Sequence, residues 1–229
     1  MNPSLWDRLR ERTGVDVGWI ERRVFESMRG YIHLLDKPLP LSLSRARSLR
    51  FPLWTCRTRL FETEHHDRVV VSRVRALPMI DGVTISMRPR SGAAPWFLSD
   101  LFCFPARVSA NAWMVGPATL GDLGALTDIL AGHESLPAPD WLAPLASGEG
   151  FSVRARPAEA ETVFRAVRTL LVRTLVTLNT RSLPRVDGEK VRDHARSLAE
   201  RAPFGKRLRR VFGRSFAMRY SELLFGGFK

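Results

Sequence analysis

Apolar residues near the start of the chain recur at three- and four-residue steps. Trp19, Ile20, Val24, Phe25 and Met28 share one face of such a repeat, which is the signature of an amphipathic helix. Asp16 stands where it can cap that helix, and Ser4 and Asp7 are alternative caps for a shorter turn before it. Residues 3–32 therefore read as helical. Pro38, Pro40 and several serines then break the pattern over residues 37–48, which read as an irregular crossing segment.

From Phe51 the period drops to two. Residues 53–61 and 68–77 read as strands, the second carrying Val69, Val70 and Val71, and residues 62–67 form the turn between them. The His65-His66 pair in that turn points to opposite faces of any strand and so chelates one ion poorly; a solvated hairpin loop is the better reading. Asp81-Gly82 is a turn signal. Three strands follow in quick succession. Thr84 to Met87 alternate and stop at Pro89. Trp96, Phe97, Leu101, Phe102 and Phe104 make a bulky run that Ser99-Asp100 interrupts, and residues 108–115 alternate up to Gly116-Pro117. Short connections make these pairings antiparallel. Asp100, expected at the head of the middle strand, is the only charged side chain between Trp96 and Phe104. A carboxylate there either caps a turn, pairs with an arginine such as Arg88 or Arg107, or acts chemically.

Residues 118–130 read as a loop and a short helix with Leu120, Leu123, Leu126 and Leu130 on one face. The Pro- and Gly-rich stretch 135–150 contains Trp141, and residues 151–154 read as a last strand. Pro157 sits near the start of the strongest helical pattern, in which Val163, Phe164, Val167, Leu170, Leu171, Leu175 and Leu178 form a stripe. Arg165, Arg168 and Arg173 lie off that stripe and are expected in solvent. Residues 187–202 read as a charged helix. The last helix, 206–225, buries Leu208, Val211, Phe212, Phe216, Tyr220, Leu223 and Leu224 and shows solvent a basic face. Helices, a run of antiparallel strands and helices again imply an α+β fold, a three-layer α/β/α sandwich around a central, mainly antiparallel sheet.

Composition narrows the function classes. The 229 residues carry a net charge of +13, which suits an acidic protein partner, an anionic ligand, nucleic acid or an anionic membrane face. Two cysteines, Cys56 and Cys103, make neither a disulfide framework nor a metal set. No apolar run reaches the length of a membrane span, and no apolar core follows Met1, so the expectation is a cytoplasmic protein without stable membrane insertion. A glycine-rich phosphate loop, a zinc motif and a nucleophile elbow are all absent from the sequence, which argues against kinase, metallohydrolase and esterase chemistry.

Three segments resemble the ferredoxin-dependent bilin reductases. These are TISMRPRSGAAPWFLSDLFCF, WLAPLASGEGFSVRARPAEAETVFRAV and RLRRVFGRSFAMRYSELLF, in the family's order and together spanning roughly residues 55 to 226. The resemblance implies a single domain over residues 1–229, with 1–50 as a helical extension, 51–156 as the sheet and 157–229 as the C-terminal helices. It implies a linear tetrapyrrole of the biliverdin type held between the sheet and those helices. Reduction would proceed by single electrons from acidic ferredoxin, coupled to protonation. No bound cofactor is implied; reduced ferredoxin is the external donor, and a heme oxygenase is a supplier of the substrate. Asp100 matches the family's sheet carboxylate and is the candidate proton donor. Thr84 stands where some members have a histidine, Ser72 where a glutamate would match, and Ala202 where a second aspartate would match. Thr84, Ser72, Arg88, Arg107 and Phe102 are the candidate substrate-binding residues, the arginines as anchors for propionates.

Three readings follow. The first is a bilin-reductase-like oxidoreductase. The second is a non-catalytic tetrapyrrole-binding protein on the same fold, suggested by the missing donors. The third, a nucleic-acid-binding protein, rests on charge alone, lacks a recognisable motif and is disfavoured.

Overall fold

The structure is a computed structural model that describes residues 11, 16–47, 49–51, 54–76, 80–90, 96–115, 124–140, 143, 146–180 and 204–225. The turn near Ser4 and Asp7, Leu120, Leu123, Trp141 and the charged helix 187–202 lie outside those residues.

Helix α1 (Val17–Arg29) begins where the Asp16 carboxylate accepts from the Gly18 N–H at 2.9 Å. Strand β1 (Leu35–Lys37), a 3₁₀ segment (Leu41–Arg47) and β2 (Leu49–Phe51) follow. These short strands lie in the region whose sequence suggests only helix and irregular chain. Long strands come next: β3 (Trp54–Glu62), β4 (His66–Ala76), β5 (Ile80–Pro89), β6 (Trp96–Phe104) and β7 (Arg107–Val115). After α2 (Gly124–Ile129), β8 (Glu134–Leu136) and β9 (Ala146–Ala155), helix α3 (Ala160–Thr180) crosses the sheet. Helix α4 (Phe204–Phe225) closes the chain, with a non-helical Gly213 at φ 82° that kinks it.

The strands form one nine-stranded sheet in the order β1-β3-β4-β5-β6-β7-β9-β8, with β2 beside β3. Every pairing is antiparallel. Helices α1 and α3 cover one face and α4 the other, giving the expected α/β/α sandwich. The α1/α3 face is the main core. Val69, Val71, Val83, Ile85, Met87, Phe97, Leu101, Val108, Ala110 and Met114 from the strands meet Met28, Val167, Leu170 and Leu171 from the helices there. The period-two pattern puts these residues on one face because alternate side chains of a strand point the same way.

Several expectations change. Asp81-Gly82 is no turn, since both lie inside β5. Arg73 and Arg75 donate to the Asp81 carboxylate at 2.8–3.1 Å, so its charge is paired by the neighbouring strand β4. Gly82 is there because a Cβ would meet the Phe102 ring at 2.2 Å, a close approach that strand glycines permit. Ser99-Asp100 does not interrupt β6 either, and Asp100 sits mid-strand rather than at its head. Asp100 finds a bonding partner on the neighbouring strand, whereas the buried Ser99 hydroxyl, on the opposite face, finds none among the described residues. The hairpin between β3 and β4 is not simply solvated. His66 is fully buried, with its Nδ1 3.2 Å from Thr63 Oγ1. Arg168 is exposed, as its position off the stripe suggests, but its Nε donates to the buried Ser27 hydroxyl at 2.9 Å.

Candidate functional site

The face of the sheet beneath α4 carries a polar row. Antiparallel register aligns Thr58 with Ser72, Ser72 with Thr84, Thr84 with Asp100, Asp100 with Asn111, and Asn111 with Ser152. One residue from each of β3, β4, β5, β6, β7 and β9 thus forms a band straight across the sheet. Directly opposed residues stand about 4.5–5.5 Å apart, so each side chain of the band lies beside its neighbours in it.

The two ends of the band are sealed and its middle is not. At the β3 end, Tyr220 of α4 is fully buried and its hydroxyl lies 2.7 Å from Thr58 Oγ1 and 2.6 Å from Ser72 Oγ. Thr58 and Ser72 are 3.2 Å apart, and the Cys56 thiol touches the same cluster at 3.4–3.6 Å. Burial pushes the Tyr220 hydroxyl well above its ordinary pKa, so it stays a neutral donor. At the β9 end, the Trp113 indole N–H donates to the buried Ser152 hydroxyl at 3.0 Å. Between these ends, Thr84, Asp100 and Asn111 are half-buried.

Asp100 is the central group. Thr84 Oγ1 donates to its Oδ1 at 2.6 Å. Burial pushes the Asp100 carboxyl above its ordinary pKa, and the Thr84 hydrogen bond pulls the other way without cancelling the effect. Desolvation disfavours the charged carboxylate, whereas a donor favours it. The carboxyl is thus desolvated on a residue that is only half-buried, a combination suited to holding a proton and giving it up.

Of the residues singled out in the sequence, Asp100, Thr84 and Ser72 come together in the band. Phe102 lies two residues along β6 on the same face, half-buried, with its ring over Gly82. Arg88 is on that face but four residues from Thr84, about 13 Å along the strand. Its guanidinium is held by Asp67 through Nε, at 2.9 Å, and through a terminal nitrogen. Next to it Arg68 donates to the Glu222 carbonyl of α4 at 2.9 Å, and burial together with the Arg88 charge lowers the Arg68 pKa to about 10. Arg107 lies at the opposite end of the face, exposed, its guanidinium 4.9 Å from the Phe104 ring centroid. Neither arginine is the partner of Asp100. Ala202 lies outside the described residues.

Asn111, Thr58, Ser152 and the Tyr220 hydroxyl are members of the site that sequence reasoning passed over. Asn111 was within reach of it. It is the polar residue opposite the Val108, Ala110, Ala112, Met114 face of its own strand. Both cysteines are free and buried, and burial pushes the Cys103 thiol up to about 12. Among the described residues no group of three or more His, Cys, Asp or Glu side chains could hold a metal ion, and no helix is long and apolar enough to cross a membrane.

The molecule is thus an α/β/α sandwich with a carboxyl-centred polar band between its sheet and its C-terminal helix. Among solved structures it is similar to phytochromobilin synthase from tomato, determined in complex with biliverdin. The TM-score is 0.65 at 12% identity, over 92% of this chain and 82% of that one. No protein-family profile matches the sequence, and no curated protein does. What is shared with the tomato enzyme is the fold.

Proposed function

We propose that the protein binds a linear tetrapyrrole of the biliverdin type against the polar band and reduces it, with Asp100 as proton donor. The observation that carries this reading is the position of Asp100. It is a carboxyl with a raised pKa, at the centre of the accessible part of the band, on a fold that in the tomato synthase accompanies biliverdin. The resemblance of the three sequence segments to ferredoxin-dependent bilin reductases supplies the reaction type.

Each reduction of one double bond adds two electrons and two protons. Reduced ferredoxin delivers the electrons one at a time, and the basic charge of +13 favours docking of such an acidic donor. Asp100 gives one proton to the bilin and solvent gives the other; the accessible carboxylate then recovers its proton from water. A general acid works best when its pKa approaches the working pH, which is the direction in which burial moves Asp100. Thr84 orients the carboxyl, and Asn111 offers an amide beside it for a lactam oxygen of the substrate. Phe102 supplies an apolar ring surface. Arg107, exposed at the end of the face, is better placed than the Asp67-bound Arg88 to take a propionate. A heme oxygenase would supply the substrate.

Anaerobic incubation with biliverdin, ferredoxin and its reductase tests the proposal. Progressive loss of the biliverdin absorption band with new product bands is expected. Asp100→Asn is expected to keep the shifted spectrum of bound bilin and to stop turnover. Normal turnover in that variant would remove Asp100 from the mechanism. A specific observation also favours a second reading, a non-catalytic tetrapyrrole-binding protein. Ser72 and Thr84 stand where the family's glutamate and histidine would, and Ser72 is tied up by Tyr220 at 2.6 Å. A stable bilin complex unchanged by reduced ferredoxin would establish that reading instead.

A further inference from the structure

The opposite side of the molecule carries a concavity. It lies between α1 and α3, on the face of the sheet away from Asp100, and encloses about 530 Å³. That volume falls within the range of small-molecule sites, about 300–1,000 Å³. Its described lining joins Trp19 and Phe164 to Arg23, Arg165 and Arg168, with Glu161 the only carboxylate among the described residues there.

The aromatic pair forms the apolar part. Trp19 is half-buried and meets Phe164 edge-on, ring centroids 5.4 Å apart at 64°. The Arg23 guanidinium lies 5.5 Å from the Trp19 centroid, an arrangement that presents a cation and a π-surface side by side. The cationic part is held in place. Arg168 Nε donates to Ser27 Oγ at 2.9 Å, and that buried hydroxyl in turn donates to the Arg23 carbonyl at 2.8 Å. One edge of the Arg168 guanidinium is thus fixed by α1, and no described residue engages its terminal nitrogens. Arg165, one turn earlier on α3, is exposed and makes no ion pair among the described residues. A planar guanidinium fork of this kind matches carboxylate or phosphate oxygens in two parallel bonds.

We propose that this groove binds a planar aromatic anion of nucleotide size, its ring against Trp19 and Arg23 and its acidic group on Arg165 and Arg168. The site is independent of Asp100 and of the reading given to the other face.

Isothermal titration calorimetry of the full chain with AMP at low ionic strength tests it, with adenosine and inorganic phosphate as separate titrants. Saturable AMP binding that weakens as salt is raised is expected, with each half of the ligand binding more weakly than the whole. Arg168→Gln is expected to lower affinity at least about ten-fold, and Arg168→Lys to recover little of it, because the charge returns without the fork. Circular dichroism of each variant establishes that it is folded. Absence of saturable AMP binding would overturn the proposal. So would phosphate binding as tightly as AMP, or AMP affinity unchanged when Arg165 and Arg168 are both replaced by Gln. Asp100→Asn is expected to leave AMP binding as it is in the natural chain.

Discussion

The two faces of the central sheet use the same strands for opposite purposes. Toward α1 and α3 the long strands present mainly Val, Ile, Leu, Met, Phe and Ala, with Ser99, Cys103 and the Arg73–Asp81 pair among them, and the layer is held by apolar burial. Toward α4 the same strands present Thr58, Ser72, Thr84, Asp100, Asn111 and Ser152 in one register-matched row. Alternation makes this possible, since changing one face leaves the other untouched. Burying polar groups is costly unless they are bonded, and the band meets that cost at its ends with Tyr220 and Trp113. In the middle it leaves Thr84, Asp100 and Asn111 partly open. One face is a closed apolar core, and the other keeps polar groups partly open.

That contrast can be tested from its strongest consequence downward. Asp100→Asn is expected to slow bilin turnover by about a hundredfold or more, measured by single-turnover absorption changes, while the bound-bilin spectrum persists. Leu170→Ala, fully buried on the apolar face, is expected to cost about 2–5 kcal/mol in denaturant unfolding and to leave the spectrum of the folded fraction alone. A large spectral change there would break the division of labour between the faces. Tyr220→Phe takes one buried hydrogen-bond partner from each of the Thr58 and Ser72 hydroxyls, which keep each other at 3.2 Å, and is expected to cost about 1–3 kcal/mol in denaturant unfolding. A costless Tyr220→Phe would mean that α4 is not held by its polar contacts.

The smallest effect concerns pH. The Asp100 pKa is raised in the folded state above an unfolded value of about 3.9. In that window the folded protein binds more protons than the unfolded chain, so its stability falls as pH rises through it. Asp100→Asn abolishes the penalty. The melting temperature of the variant should therefore exceed that of the natural protein at about pH 8 and converge with it near about pH 4. Equal melting temperatures across the range would place Asp100 in ordinary solvent.

The sandwich was legible in the sequence because its signals are local. Alternation marks β4 to β7, and the stripe from Val163 to Leu175 marks α3, each within a short window. Asp81-Gly82 misled for the same reason. A turn dipeptide is a local signal, whereas the Arg73 and Arg75 guanidiniums and the Phe102 ring that keep it in a strand come from elsewhere. Asp100 was singled out as a lone charge in an apolar run, but its bond to Thr84 depends on register between strands. The Tyr220 cluster was hidden more deeply. Tyr220 reads as one more apolar position on its helix, and its hydroxyl partners lie 162 and 148 residues away.

That sequence separation also sets an order of assembly. Joining Tyr220 to Thr58 closes a loop of 162 residues, at an entropic cost of about 4–5 kcal/mol. The antiparallel pairs from β3 to β7 close through short connections and lose far less. Non-local contacts of this kind reward the chain only after the loop has closed. The sheet and its apolar face are therefore expected to form first, with the Tyr220 latch engaging on the native side of the folding barrier. A φ-value near zero for Tyr220→Phe, beside larger values in β4 and β5, would record that sequence of events. The face bearing Asp100 is then the last to be covered.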